Sequence, residues 1–94
     1  MVLEQIWMSI DLPPIRFDHP YRDGPVIELV LPMEKLQPVC IRLAGALSGK
    51  DWYWGCSYKV LTTCHVFLGQ TDKIDQIRRH EHGHCNGWSK LHEP

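Results

Sequence analysis

The run His80-Glu81-His82-Gly83-His84, inside the stretch from Thr71 to Pro94, constrains this chain more than any other feature. Read as a helix, the stretch puts Ile74, Ile77, Glu81, His84, Cys85 and Trp88 at the three-and-four spacing of one inward face. Such a face buries a carboxylate and an imidazole among apolar side chains, which is costly without a compensating partner. The ends of the stretch also favour a helix. Thr71 or Asp72 can cap its start, and Asp72 and Asp75 suit the positive end of the helix dipole. Asn86-Gly87 supplies the stop, with glycine where a left-handed residue is usual. Whatever else the chain forms must pack against a helix whose buried face is partly ionisable.

At about 100° per residue, His80 and His84 lie roughly 40° apart around the axis and His82 lies on the far side. Two imidazoles one turn apart can reach a single zinc ion, and this is the HExxH spacing. Glu81 points into the same cavity without needing to bind the metal, so it can act as a base toward water. A catalytic zinc takes three protein ligands and keeps a fourth position open. His92 is the expected third ligand, because the chain breaks at Gly87 and can return beneath the metal. Glu93, His65 and His19 rank behind it, in that order. His82 is expected to be exposed, or to belong to a surface that meets a partner. The pattern predicts a small zinc-dependent hydrolase, most simply a peptidase.

The chain has 94 residues, enough for one domain with one modest core. Its formal net charge of −1 argues against nucleic-acid binding by bulk electrostatics. No run of apolar residues is long enough to span a membrane. The N-terminus lacks a basic leader and carries Glu4 and Asp11 in its apolar part, so a cytoplasmic location is expected. Cys40, Cys56, Cys64 and Cys85 show no CxxC spacing, which argues against a structural zinc ribbon. Four small buried thiols are the preferred reading. If a bridge forms, Cys56 with Cys64 is the candidate pair.

The remaining segments suggest an α+β fold, with an antiparallel or mixed sheet of about three strands and two helices, the second carrying HExxH. Residues 1 to 25 hold Pro13, Pro14, Pro20, Gly24 and Pro25 and read as a proline-rich arm and loop. Leu3, Ile6, Trp7 and Ile10 allow a short amphipathic turn, and Ile15, Phe17 and Tyr21 are expected to pack the loop. Val26 to Leu31 reads as a strand between prolines. Met33 to Leu47 carries a helical stripe of Met33, Leu36, Val39, Cys40, Leu43 and Leu47. Pro38 within it predicts a kink or a start near Gln37. Ser48 to Asp51 is a turn. Asp51 to Lys59 is an aromatic strand in which Gly55 marks a bulge or a close backbone approach, with Trp52 and Trp54 read as core anchors over a ligand-binding patch. Thr63 to Leu68 completes a hairpin with it. Arg78-Arg79 reads as a solvated face.

The HExxH helix behind a small sheet resembles the zincin metallopeptidases. That resemblance implies His80 and His84 as ligands and Glu81 as the base. It also implies a strand ahead of the helix, here Cys64, His65, Val66 and Phe67, able to pair with a peptide substrate. The pattern HExxHxxG is matched through Gly87, but Lys90 stands where metzincins place a third histidine, and no methionine follows. The chain is also similar to small bacterial and phage-type proteins ending in RHExxHCNGW. Arg79, His80, Glu81, His84, Cys85, Asn86, Gly87, Trp88 and His92 carry that likeness, with Asp18 to Tyr21 and Gly55-Cys56 upstream. The expected partner is a peptide or protein substrate, with room for a second protein to complete the site. The competing expectations are a non-catalytic, metal-stabilised module that docks on another protein, and a metal-free α+β domain whose motif is accidental.

Overall fold

A computed structural model describes residues 10–44 and 52–94. Val26–Leu31 forms β1, Met33–Ala44 α1, Gly55–Val60 β2, Thr63–Gly69 β3 and Ile74–Cys85 α2, with a single 3-10 turn at Ile15–Phe17 ahead of them. The strands make a three-stranded mixed sheet in the order β1-β3-β2. β1 runs parallel to β3, and β2 pairs antiparallel to it in a hairpin closed at Val60 and Thr63. The described residues form an α+β fold with two α-helices, and neither of these is long and apolar enough to cross a membrane. The expected turn around Leu3, Ile6 and Trp7, the end of the helical stripe at Leu47 and the turn Ser48 to Asp51 lie outside the described residues.

Period-two alternation along β3 divides the core. Cys64, Val66 and Leu68 point to one face and form a buried cluster with Ile77, Cys85 and Tyr21. Phe67 points to the other face, where it packs against the cluster of Leu36, Cys40, Tyr53 and Cys56. α2 covers the first face and α1 part of the second. Each helix is bonded to the sheet through sulfur, Cys40 to Cys56 and Cys64 to Cys85, with Cα separations of 5.6 and 6.0 Å. The expected free thiols and the candidate Cys56–Cys64 bridge are therefore corrected. In the hairpin register Cys56 lies opposite Phe67 and Cys64 opposite Lys59, so the two cysteines face opposite sides of the sheet.

Two local expectations change and one, at Gly55, is narrowed to one of its alternatives. α1 starts at Met33, not near Gln37, and runs through Pro38. Proline removes the donor for the Glu34 carbonyl, but both residues are exposed, so water can serve that carbonyl. The neighbouring Gln37 side chain bonds the Met33 carbonyl and both backbone groups of Tyr53, tying the helix start to the strand entry. Ile15 does not pack the N-terminal loop; it is 93% exposed, whereas Tyr21 is buried and donates its hydroxyl to the Thr62 carbonyl. Gly55 is a close approach: a Cβ there would lie 2.7 Å from Ile77 Cγ2 and 2.8 Å from the Phe67 carbonyl oxygen. Only glycine lets α2 lie this close to β2.

Candidate metal centre

α2 begins at Ile74, so its cap lies one residue beyond Asp72 and two beyond Thr71, the expected caps. Lys73 is its N-cap and has no side-chain cap bond, while the Thr71 hydroxyl accepts the Lys73 N–H and the Thr71 carbonyl accepts the Ile74 N–H. The other end matches expectation. Gly87 has φ +107°, its N–H bonds the His84 carbonyl, and the Trp88 N–H bonds the Gly83 carbonyl. This Schellman arrangement reverses the chain at once. It lays Trp88 against the helix it has just left, and Ser89 to His92 then turn back toward the imidazoles, closed by a bond from the His92 N–H to the Ser89 carbonyl.

The result brings His80, His84 and His92 together. Their Nε2 atoms form a triangle with every edge 3.2 Å. Nδ1 of His84 faces the Trp88 carbonyl at 2.9 Å, and Nδ1 of His80 faces the Asp11 carbonyl. A carbonyl can only accept, so both Nδ1 atoms carry the proton, and in the neutral rings each Nε2 carries the lone pair. Lone pairs converging at this distance repel unless a proton or a metal ion lies between them. Zinc–nitrogen bonds of about 2.05 Å at tetrahedral angles set ligand nitrogens about 3.3 Å apart, close to the observed edge. Backbone carbonyls on the outer ring nitrogens are also the usual support of metal-bound histidine. These three histidines can hold a metal ion.

Trp88 forms the floor of the centre. It is 5% exposed, stacks on His84 with centroids 4.8 Å apart and rings 12° from parallel, and meets His80 and His92 edge-on. Its Nε1–H donates to the Glu93 carbonyl at 2.8 Å, which fixes the tail that carries His92. His92 itself has φ +60°, a left-handed backbone that a histidine adopts at some cost. Burial lowers the His84 pKa to about 4, helped by the neighbouring imidazoles and Lys90 and opposed by the bond to Trp88, so the ring is neutral and ready to coordinate.

Glu81 is buried, 4% exposed, and accepts a bond from Ser57 Oγ at 2.9 Å. It lines a cavity of about 340 Å³ together with His80, His92, Gly55, Ile77, Trp52, Trp54, Ile10 and Asp11. Its carboxylate thus shares a cavity with two of the three imidazoles without joining their triangle.

The other expected residues lie elsewhere. His65 is on the opposite sheet face, stacked on Tyr58 at 4.6 Å. Glu93 and His19 are exposed, and neither belongs to the nitrogen cluster. His82 is turned away from the triangle as expected, but it is not exposed. Its side chain is 14% accessible, and its Nδ1 accepts the Tyr21 N–H at 3.0 Å. Burial lowers its pKa against the pull of Glu28. His82 is thus a neutral post that holds the N-terminal loop. Arg78 and Arg79 are likewise engaged, with Glu28 and Asp75 and with Asp18 respectively.

Cys64, His65, Val66 and Phe67 cannot pair with a substrate backbone. β3 is the central strand, so its main-chain groups are already shared with β1 and β2. Trp52 and Trp54 are also reassigned: Trp52 is 52% exposed and both indoles line the cavity, although Trp54 still packs against the core. Sequence reasoning placed Trp88 on the inward face but missed its place beneath the imidazoles, and it missed Ser57 and the Asp11 carbonyl altogether. For Trp88 a signal existed, since a residue just past a glycine stop folds back onto the preceding turn. Comparison with known proteins returned no matching family model, no matching curated protein and no matching solved structure.

Proposed function

We propose that the chain is a small zinc-dependent hydrolase that cleaves peptide or related amide bonds. The observation that carries this reading is the triangle of Nε2 atoms on His80, His84 and His92 beside the buried carboxylate of Glu81. Zinc, when bound, supplies a Lewis acid and brings the pKa of water near 7. The chain's own groups do the rest. His80 and His84 are held as Nδ1–H tautomers by backbone carbonyls, so their lone pairs are oriented before the ion arrives. Glu81, steadied by Ser57, takes a proton from water at its carboxylate and returns it to the departing amine. Trp88 and Ile77 keep the inner side of the site dry.

Glu81→Gln should retain zinc and lose cleavage of a broad peptide library. Wild type that carries full zinc and cleaves no member of the library defeats the enzymatic claim.

A second reading, a metal-stabilised module that docks on a protein partner, is favoured by the sheet face that α1 leaves uncovered. Ile27, Leu29, Tyr58 and Val60 share that face and are 54, 48, 37 and 54% exposed. Under this reading His80→Ala lowers thermal stability and partner binding together, with no turnover to lose. A pull-down that returns no partner counts against it.

A further inference from the structure

The cavity beside the triangle has a composition of its own. Its outer wall carries Trp52 and Trp54, the first half-exposed in a protein with few large side chains to spare. Asp11 stands with them, and among the described residues no lysine or arginine pairs with its carboxylate. No lysine or arginine lines the cavity either. Ile10 and Ile77 complete an apolar flank. Indole faces and a carboxylate attract the same ligand group, a cation on an aliphatic stem.

We infer that this cavity is a specificity pocket that selects substrates with a lysine or arginine side chain next to the bond to be cut. Ile10 and Ile77 take the stem, the indoles of Trp52 and Trp54 flank the charge, and the Asp11 carboxylate meets it. The volume of about 340 Å³ accommodates one long side chain rather than a folded partner. Asp11 serves both functions, its carbonyl orienting His80 and its side chain reading the ligand.

This inference rests on the metal-centre reading, and a binding experiment separates the two. Zinc-loaded protein is titrated calorimetrically with the Nα-acetyl hydroxamates of lysine, arginine, leucine and glutamate, whose shared head group chelates zinc and whose side chains differ. The lysine and arginine compounds should bind about tenfold or more tightly than the glutamate compound. Asp11→Asn and Trp52→Ala, each checked for zinc content, should reduce that preference to less than about threefold. Equal affinities, a preference for leucine, or a preference that survives both substitutions overturns the pocket while leaving the metal centre intact. Failure of all four compounds to bind zinc-loaded protein overturns the open zinc position that the proposed hydrolase needs, and the pocket with it.

Discussion

Trp88 lies beneath His84, its indole stacked on the imidazole at 4.8 Å while its carbonyl accepts the His84 Nδ1–H at 2.9 Å. A residue just past the end of the helix therefore holds the Nδ1–H of a candidate ligand inside that helix. The same indole donates to the Glu93 carbonyl and so holds the segment bearing His92. Trp88→Phe keeps the ring and the carbonyl but removes this donor. Zinc affinity should fall about tenfold, the usual scale for a lost supporting bond, measured by competition with a chromophoric chelator. Unchanged affinity would detach the tail from the centre.

The approach of α2 to β2 depends on Gly55. An added methyl would press on Ile77 Cγ2 and on the Phe67 backbone, and backbone cannot move aside cheaply. Gly55→Ala should cost about 1–3 kcal/mol in denaturant melts and weaken zinc binding by shifting α2. A variant as stable as wild type would show that the helix slides without consequence.

The two disulfides should separate stability from metal binding. Removing either pair, by Cys40→Ala with Cys56→Ala or Cys64→Ala with Cys85→Ala, should cost about 2–5 kcal/mol, read as a lower Tm. Only the Cys64–Cys85 variant should also bind zinc more weakly. That bridge anchors the end of α2 next to His84, whereas Cys40–Cys56 lies across the sheet.

Acid should destabilise the metal-free protein. Burial depresses the folded-state pKa of His84 to about 4 and that of His82 in the same direction, from an ordinary 6.5. Below 6.5 the unfolded chain takes up protons that the folded chain refuses, so stability falls as pH falls. The contribution is fully present above pH 6.5 and is lost between there and about 4. Asp18, held below 3.8 chiefly by its bond to Arg79, adds a loss at still lower pH. Thermal melts of metal-free protein should show a level Tm from pH 8 to 7 and a decline below 6.5. A Tm that rises between 6.5 and 4.5 contradicts this.

The α2 helix and the grouping of His80 with His84 were legible in the sequence because helical period, the Asn86-Gly87 stop and the four-residue histidine spacing all specify the same element. The strand order was not. TCHVFL carries the same hydropathy at an edge as in the centre, and its central position follows from a parallel partner some forty residues earlier, β1. The disulfides were partly legible. A two-residue loop at Leu61-Thr62 puts Cys56 and Cys64 on opposite faces by strand alternation alone, which already excludes their pairing. Nothing in the sequence links Asp11 to His80 or Ser57 to Glu81, since both contacts depend on how the segments dock.

The account stands on a metal held by His80, His84 and His92. Its most direct test is elemental analysis of protein purified without a histidine tag, with His92→Ala prepared alongside. We predict one zinc per wild-type chain and little in the variant, with wild-type zinc restored after stripping and reloading. Wild-type protein that stays well below one zinc per chain even after zinc is added would contradict the account.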